Sequence, residues 1–159
     1  MQVQVNEKVR LESITKAGID SLFPLFFEDI EELNRWFGFD RDYSIQNEYQ
    51  YLATRLPPFD DAILVLYQNV LCGRFGLYDY SPAEGCVYMY YWISSRFRRK
   101  GIARVCMGAM LEYLRGLDIH EVRFDVDIDN TASISLLSGF PNIKQKEMGK
   151  KRAIFSCPL

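Results

Sequence analysis

The chain predicts a single α+β domain over residues 1–159, in the order strand, two helices, three strands, helix, strand, helix, two strands. Three observations support this. The 159 residues are 48% apolar, 25% charged and 14% aromatic, an ordinary globular composition. At this length roughly 70% of the unfolded surface can be buried without metal or disulfide staples. Ile102, Val105, Cys106, Ala109, Met110, Tyr113 and Leu114 recur at helical spacing, while Val122, Phe124, Val126 and Ile128 alternate with Glu121, Arg123, Asp125 and Asp127 as in a half-buried strand. No repeat or low-complexity linker divides the chain, and Leu56-Pro57-Pro58-Phe59-Asp60-Asp61 reads as a loop.

The remaining elements follow in order. Val9 to Ile14 alternates as a strand. Thr15 then caps a helix towards Trp36, in which Pro24 removes a backbone bond, costs about 3 kcal/mol and predicts a kink or break. Ser44 caps a second helix through Leu56, and residues 62–67 and 70–75 form a hairpin across Gln68-Asn69. The strand from Gly85 to Ile93 divides by parity into Cys86, Tyr88, Tyr90 and Trp92 on one face and Val87, Met89, Tyr91 and Ile93 on the other. Gly116 ends the helix that begins near Ile102, a short helix starts at Thr131, and residues 143–148 and 152–156 form a last hairpin across Gly149-Lys150-Lys151.

Nineteen Lys plus Arg against 21 Asp plus Glu give a net charge of −2, which provides no general attraction to nucleic acid or an anionic membrane. No apolar run approaches the roughly 20 residues needed to span a bilayer, and MQVQVNEKVR has no signal-peptide core, so a cytoplasmic protein is expected. Cys72, Cys86, Cys106 and Cys157 are widely spaced, and the single His120 completes no zinc pattern. Reduced, mostly buried thiols and no metal are expected.

The chemistry concentrates in the segment from Tyr91 to Ala103, where an apolar strand runs through a basic, glycine-containing turn into a helix. Backbone N–H groups at a helix start lack internal partners and sit at the positive end of the helix dipole, so the turn suits an anion such as a phosphate. Gly101 and Ala103 permit close approach. A solvated turn that merely starts a helix is the plainer reading of such a motif in isolation.

Arg98-Arg99-Lys100-Gly101-Ile102-Ala103 matches the pattern R/Q-x-x-G-x-G/A, and about thirty residues on the run from Asp129 to Phe140 is similar to N-x-x-S-x-x-L…G-F. On these motifs the chain resembles the GNAT superfamily of acyl-CoA-dependent N-acyltransferases. Val9 to Ile14, the helix ending near Arg35-Trp36-Phe37, and Phe75-Gly76-Leu77-Tyr78-Asp79 before the Tyr-Trp strand extend the resemblance to its ribosomal-protein N-acetyltransferase branch.

The resemblance implies a GNAT fold, with a mixed, mostly antiparallel sheet split at the cofactor site and flanked by helices. It implies transfer of an acetyl group from acetyl-CoA to a primary amine, on a protein N-terminus or a small molecule. It places pantetheine on Trp92 and Ile93, where a free N–H would polarise the thioester carbonyl. The pyrophosphate falls on the N–H groups from Arg99 through Ile102 to Ala103, with charge from Arg98, Arg99, Lys100 or Arg104 and with Gly101 at the approach. Asn130 would bond the pantetheine arm and Ser133 would start the following helix.

The acid and base depart from the pattern. Leu137 stands at the general-acid Tyr of many relatives, and counting back from Gly139 puts Ser135 there; Tyr88 stands where relatives often carry Glu, two residues before Gly-Tyr-Trp. Tyr88 and Ser135 are therefore the candidate catalytic residues, beside Ser138, a water or a Tyr of the neighbouring strand. Glu84, further out on the same parity as Tyr88, relays a proton or simply ends a loop. The acceptor is expected between the first two helices and the central strand, where Glu28, Asp29, Glu31, Glu32, Asp40 and Asp42 attract a cationic amine and Tyr88, Tyr90, Trp36 and Phe37 supply walls. The departures leave a second reading, an inactive acyl-CoA-binding module. A third, a phosphate- or nucleic-acid-binding protein using Arg96 and the basic turn, is opposed by the net acidity. Monomer and homodimer are both compatible with the sequence.

Overall fold

A computed structural model describes residues 2–38, 42–117 and 119–159. Among these residues lie the strands β1 (Gln2–Gln4), β2 (Val9–Ser13), β3 (Asp61–Tyr67), β4 (Val70–Ser81), β5 (Cys86–Ile93), β6 (Glu121–Asp127), β7 (Lys144–Met148) and β8 (Arg152–Pro158). They form one sheet in the order β1-β2-β3-β4-β5-β6-β8-β7. The β5–β6 pair is parallel and the other neighbours are antiparallel. The helices are α1 (Lys16–Glu28), α2 (Ile30–Phe37), α3 (Ile45–Thr54), α4 (Ile102–Arg115) and α5 (Thr131–Ser138). The α+β class and the mixed, mostly antiparallel sheet agree with the sequence reading.

Thr15 caps α1 as expected, its Oγ1 accepting the Gly18 N–H at 3.1 Å, but Pro24 does not break the helix. Ile19, Leu22 and Phe26 share one buried face, and at about 1.5–3 kcal/mol each their burial outweighs the roughly 3 kcal/mol lost at an interior proline. The interruption falls at Asp29, whose buried carboxylate accepts the Ser95 N–H at 2.8 Å. The third helix stops at Thr54, before the expected Leu56, because the approach to Pro57 favours extended backbone and Arg55 has ψ 152°. Gln68 and Asn69 both adopt positive φ (51° and 64°) in the β3–β4 turn, as a two-residue hairpin requires. The three-residue edge strand β1 was not foreseen. It is held to β2 by a turn in which Asn6 Oδ1 accepts the N–H groups of Lys8 and Val9, both at 2.9 Å.

The sheet separates two cores. On one face α1, α2 and α3 cover Ile14, Ala62, Leu64 and Trp92; on the other, Ile102, Cys106, Met107, Met110 and Leu114 of α4 pack on Phe75, Leu77, Val87, Met89 and Phe124. All four cysteines are free and buried, and burial pushes the Cys72 and Cys106 thiols up to about 12.

The first core also holds a charge pair. Arg74, cross-strand from Leu64, places Nη1 2.6 Å from Glu48 Oε2 of α3, and Tyr43 Oη donates to Glu48 Oε1 at 2.5 Å. Both charged side chains are less than a tenth exposed, so removing one partner leaves an uncompensated buried charge. Glu48→Leu is expected to cost about 3–5 kcal/mol in urea unfolding, with Arg74→Met in the same chain recovering at least half. Equal losses in the single and double variants would show that α3 packing, not the stranded guanidinium, carries the effect.

Candidate active site

β5 and β6 pair at three positions, Cys86↔Glu121, Val87↔Val122 and Tyr88↔Arg123. Beyond these, β5 runs on to Ile93 bonded only to β4, and β6 to Asp127 bonded only to β8. The wedge between them is a cleft of about 930 Å³. Strand alternation decides which backbone groups face it. The Ser94 N–H donates to Cys72 O at 2.9 Å, so Ser94, Trp92 and Tyr90 bond towards β4, while Tyr91 and Ile93 turn their amides to the cleft. Trp92 also lines the cleft, but its backbone belongs to the β4 ladder, and its indole packs edge-on to Phe26 at 5.9 Å. Ile93 O accepts from Arg98 Nε at 2.9 Å, so the open groups are the Ile93 N–H and both groups of Tyr91.

At the cleft's end, Ser95–Phe97 form a 3₁₀ turn, Arg99 takes φ +62°, and Gly101 (φ +74°) precedes the first turn of α4. A Cβ on Gly101 would meet nothing within 4 Å, so glycine is required there by conformation, at about 1–2 kcal/mol for other residues. The Val105 N–H is the first to reach Gly101 O, at 3.2 Å, which leaves the N–H groups of Ile102, Ala103 and Arg104 without helical acceptors. Arg98, Arg99, Gly101, Ile102, Ala103 and Arg104 all line the cleft. Their side chains have different duties. Arg99 has no hydrogen-bond or ion-pair partner among the described residues, whereas Arg104 donates to Gly139 O at 2.9 Å and lies over the Phe140 ring. Lys100 leaves the cleft and stands 5.3 Å from the centre of the Tyr67 ring. Arg98 bonds Ile93 O and Glu32 (2.8 Å) and lies 3.6 Å from Asp29.

The far wall is the start of α5. Asn130 Oδ1 accepts the Ser133 N–H at 3.1 Å, and both residues line the cleft. Tyr91 reaches this wall from β5: its ring stacks on Phe75 at 5.4 Å, and its hydroxyl is buried beside Ser133 without a hydrogen bond of ordinary geometry. Burial pushes that phenol up to about 12, against a smaller opposing pull from Ser133. The two candidate catalytic residues lie elsewhere. Tyr88 packs on Tyr78 with ring centres 5.5 Å apart, outside the lining, and Ser135 is exposed on the outward side of α5, as is Ser138. Glu84 pairs with Arg123 at 2.8 Å, also outside the lining.

The acids expected to attract an acceptor are engaged with the basic turn. Glu28 pairs with Arg96 at 2.5 Å, Asp29 takes the Ser95 N–H, and Glu32 holds Arg98. Glu31 and Asp42 are exposed, and Asp40 lies outside the described residues. The acceptor face is aromatic, with Trp36, Phe37, Tyr78 and Tyr90 in the lining. Sequence reading missed Arg74, Asp125, Asp127 and Arg152, which also line it. The alternation that marked Asp125 and Asp127 as the polar side of a strand was the available signal, but which layer that side faces follows only from the register.

The sequence model of the acetyltransferase (GNAT) domain matches residues 8–139. No curated protein matches the sequence. In fold the chain is similar to the RimL ribosomal L7/L12 α-N-protein acetyltransferase in its apo form, with a TM-score of 0.88 and 16% identity over 100% of this chain and 94% of that one. It is similar to an acetyl transferase from Salmonella typhimurium that modifies the N-terminal serine of the 50S ribosomal subunit protein L7/L12, at 0.84 and 17% over 100% and 99%. The microcin C7 self-immunity acetyltransferase MccE, solved with acetyl-CoA and AMP, superposes at 0.79 with 16% identity over 99% and 96%. The family match spans the wedge, the basic turn and the start of α5, and on it the chain belongs to the acetyltransferase (GNAT) domain family.

Proposed function

We propose that the chain is an acetyl-CoA-dependent N-acetyltransferase of primary amines, with protein N-termini the first acceptor class to test. The observation that supports this most directly is the wedge between β5 and β6, with open amides at Tyr91 and Ile93 and a helix start at its end. Pantetheine amides suit an unpaired strand edge, and the pyrophosphate suits the N–H groups of Ile102, Ala103 and Arg104 together with the free Arg99 charge. Asn130 keeps its Nδ2 for the pantetheine arm because its Oδ1 caps α5. Similarity to proteins described as N-terminal acetyltransferases supports the acceptor class.

In this reading an N–H on the open edge of β5 stabilises the oxyanion formed when the amine adds to the thioester carbonyl. Tyr91, held neutral by burial, is the tyrosine of the neighbouring strand that can donate to the departing thiolate. Tyr88 and Ser135 have no place in this scheme. Pairing of Asp29, Glu28 and Glu32 with the turn leaves the acceptor entrance walled by aromatic rings rather than by those carboxylates.

Calorimetric titration with acetyl-CoA is expected to give a dissociation constant in the micromolar range. Gly101→Asp, checked for folding by circular dichroism, should weaken it at least tenfold by placing a strained backbone and a negative charge at the phosphates. Unchanged affinity in the folded variant would remove the turn as the pyrophosphate site. Incubation with acetyl-CoA and a hexapeptide beginning with Ser should release thiol. Binding of acetyl-CoA with no thiol release from that peptide or from a panel of small primary amines would make the chain a binding module.

A further inference from the structure

We propose that Asp125 binds and deprotonates the acceptor ammonium, in place of the carboxylate that position 88 lacks; this rests on the N-acetyltransferase reading. An α-amine arrives largely protonated and attacks only when neutral, so a proton acceptor on the acceptor side of the cleft speeds the reaction, and a carboxylate there also attracts the cation. Among the described residues, the carboxylates lining the cleft are Glu32, Asp125 and Asp127. Glu32 is held by Arg98 with both oxygens, at 2.8 and 3.0 Å, and takes the Trp36 Nε1–H as well. Asp127 accepts the Asp129 N–H at 2.9 Å and ends its strand near the mouth.

Asp125 is placed differently. Extending the Tyr88↔Arg123 register by two residues, past the last pairing, sets it across the wedge from Tyr90. Phe124 and Val126 turn into the α4 core, so Asp125 faces the layer of α1, α2 and α3. Its charge reaches Tyr78 on β4, where it adds to the effect of burial in raising the phenol. Its side-chain partner is Arg152 of β8, at 2.8 Å. That guanidinium also donates to the Asp125 backbone oxygen at 3.0 Å and weakly to Trp36 O of α2 at 3.5 Å. Both members of the pair are more than a third exposed, and exposed pairs of this kind contribute little net stability. An incoming ammonium can therefore take the place of Arg152. The buried Glu48–Arg74 pair has no such freedom.

The step balances as follows. Asp125 accepts one proton from R–NH₃⁺, and the nitrogen lone pair forms the C–N bond at the thioester carbonyl carbon. A second N–H proton leaves the nitrogen as the C–S bond breaks with its electron pair on sulfur; the thiolate takes a proton from Tyr91, which is reprotonated by the proton shed from the nitrogen, and Asp125 returns its own proton to solvent. The products are the acetylated amine, CoA thiol and one proton.

Thiol release from acetyl-CoA with the Ser-initiated hexapeptide, and acetyl-CoA affinity by calorimetry, are measured on the full chain. Asp125→Asn is expected to lower kcat/KM at least thirtyfold with the acetyl-CoA dissociation constant within twofold of the parent, and Asp125→Glu to recover part of the loss. Arg152→Gln should raise kcat/KM or leave it within threefold of the parent, since it removes only the competing cation. The Asp125→Asn deficit should narrow between pH 7 and 9, as α-amines with pKa of about 7.7–8.0 lose their proton in solution. Activity of Asp125→Asn within threefold of the parent, or equal losses in Asp125→Asn and Arg152→Gln at every pH, would overturn the assignment and leave the pair a strap between β8, β6 and α2. A parent protein that binds acetyl-CoA but acetylates no amine would overturn it too, whereas failure to bind acetyl-CoA would overturn the reading beneath it.

Discussion

A sheet that parts in its middle leaves backbone groups unpaired, and an unpaired buried amide or carbonyl costs about 1–3 kcal/mol. Here β5 and β6 part after three paired residues, so the surrounding structure must meet that demand or leave it to a ligand. Both outer ladders hold: β4 follows β5 to Ile93, and β8 follows β6 to Asp127. Each strand of the wedge is thus rigid on one side and open on the other. Arg98 answers one open group, the Ile93 carbonyl. The remaining amides at Tyr91 and Ile93 have no strand to pair with, so this edge suits a ligand that carries amides better than a purely apolar one.

Arg98 connects this edge to the rest of the domain. Its guanidinium meets Ile93 O, Glu32 and Asp29, while Asp29 also holds the Ser95 N–H. The break between α1 and α2 is where it is because Asp29 has to reach the turn. Acidic helices and basic turn neutralise each other, and the two walls of the cleft are joined at one corner. Among the described residues, Arg99 lines the cleft with no hydrogen-bond or ion-pair partner, on a backbone of positive φ.

The strand-turn-helix at Tyr91 to Ala103 and the helix start at Thr131 were legible because local sequence creates them, a glycine at positive φ in one and a turn after a strand in the other, whereas the cap expected at Ser133 stands at Asn130. The hairpin at Gln68-Asn69 was legible for the same reason. What was not legible depends on partners distant in sequence. Whether Trp92 or its neighbours open to the cleft is a matter of one residue of register against β4, and such a shift exchanges every backbone direction. Pro24 reads as a break until the burial of Ile19, Leu22 and Phe26 is counted. Glu28, Asp29 and Glu32 read as an acceptor site because their counter-ions are more than 60 residues away in sequence.

The acceptor face shows how a departure in sequence reshapes a site. The resemblance would set Gly where Tyr90 stands, and the ring of Tyr90 occupies the space a Cβ on Gly76 would need, with ring atoms 2.1 Å from that position. The ring is held edge-on by Phe37 and lies 5.5 Å from the Arg74 guanidinium, itself fixed by Glu48. Gly76 and Tyr90 therefore form one unit: the missing side chain on β4 makes room for the ring on β5. With that ring in place, Trp36, Phe37, Tyr78 and Tyr90 stand together in the cleft lining with Asp125.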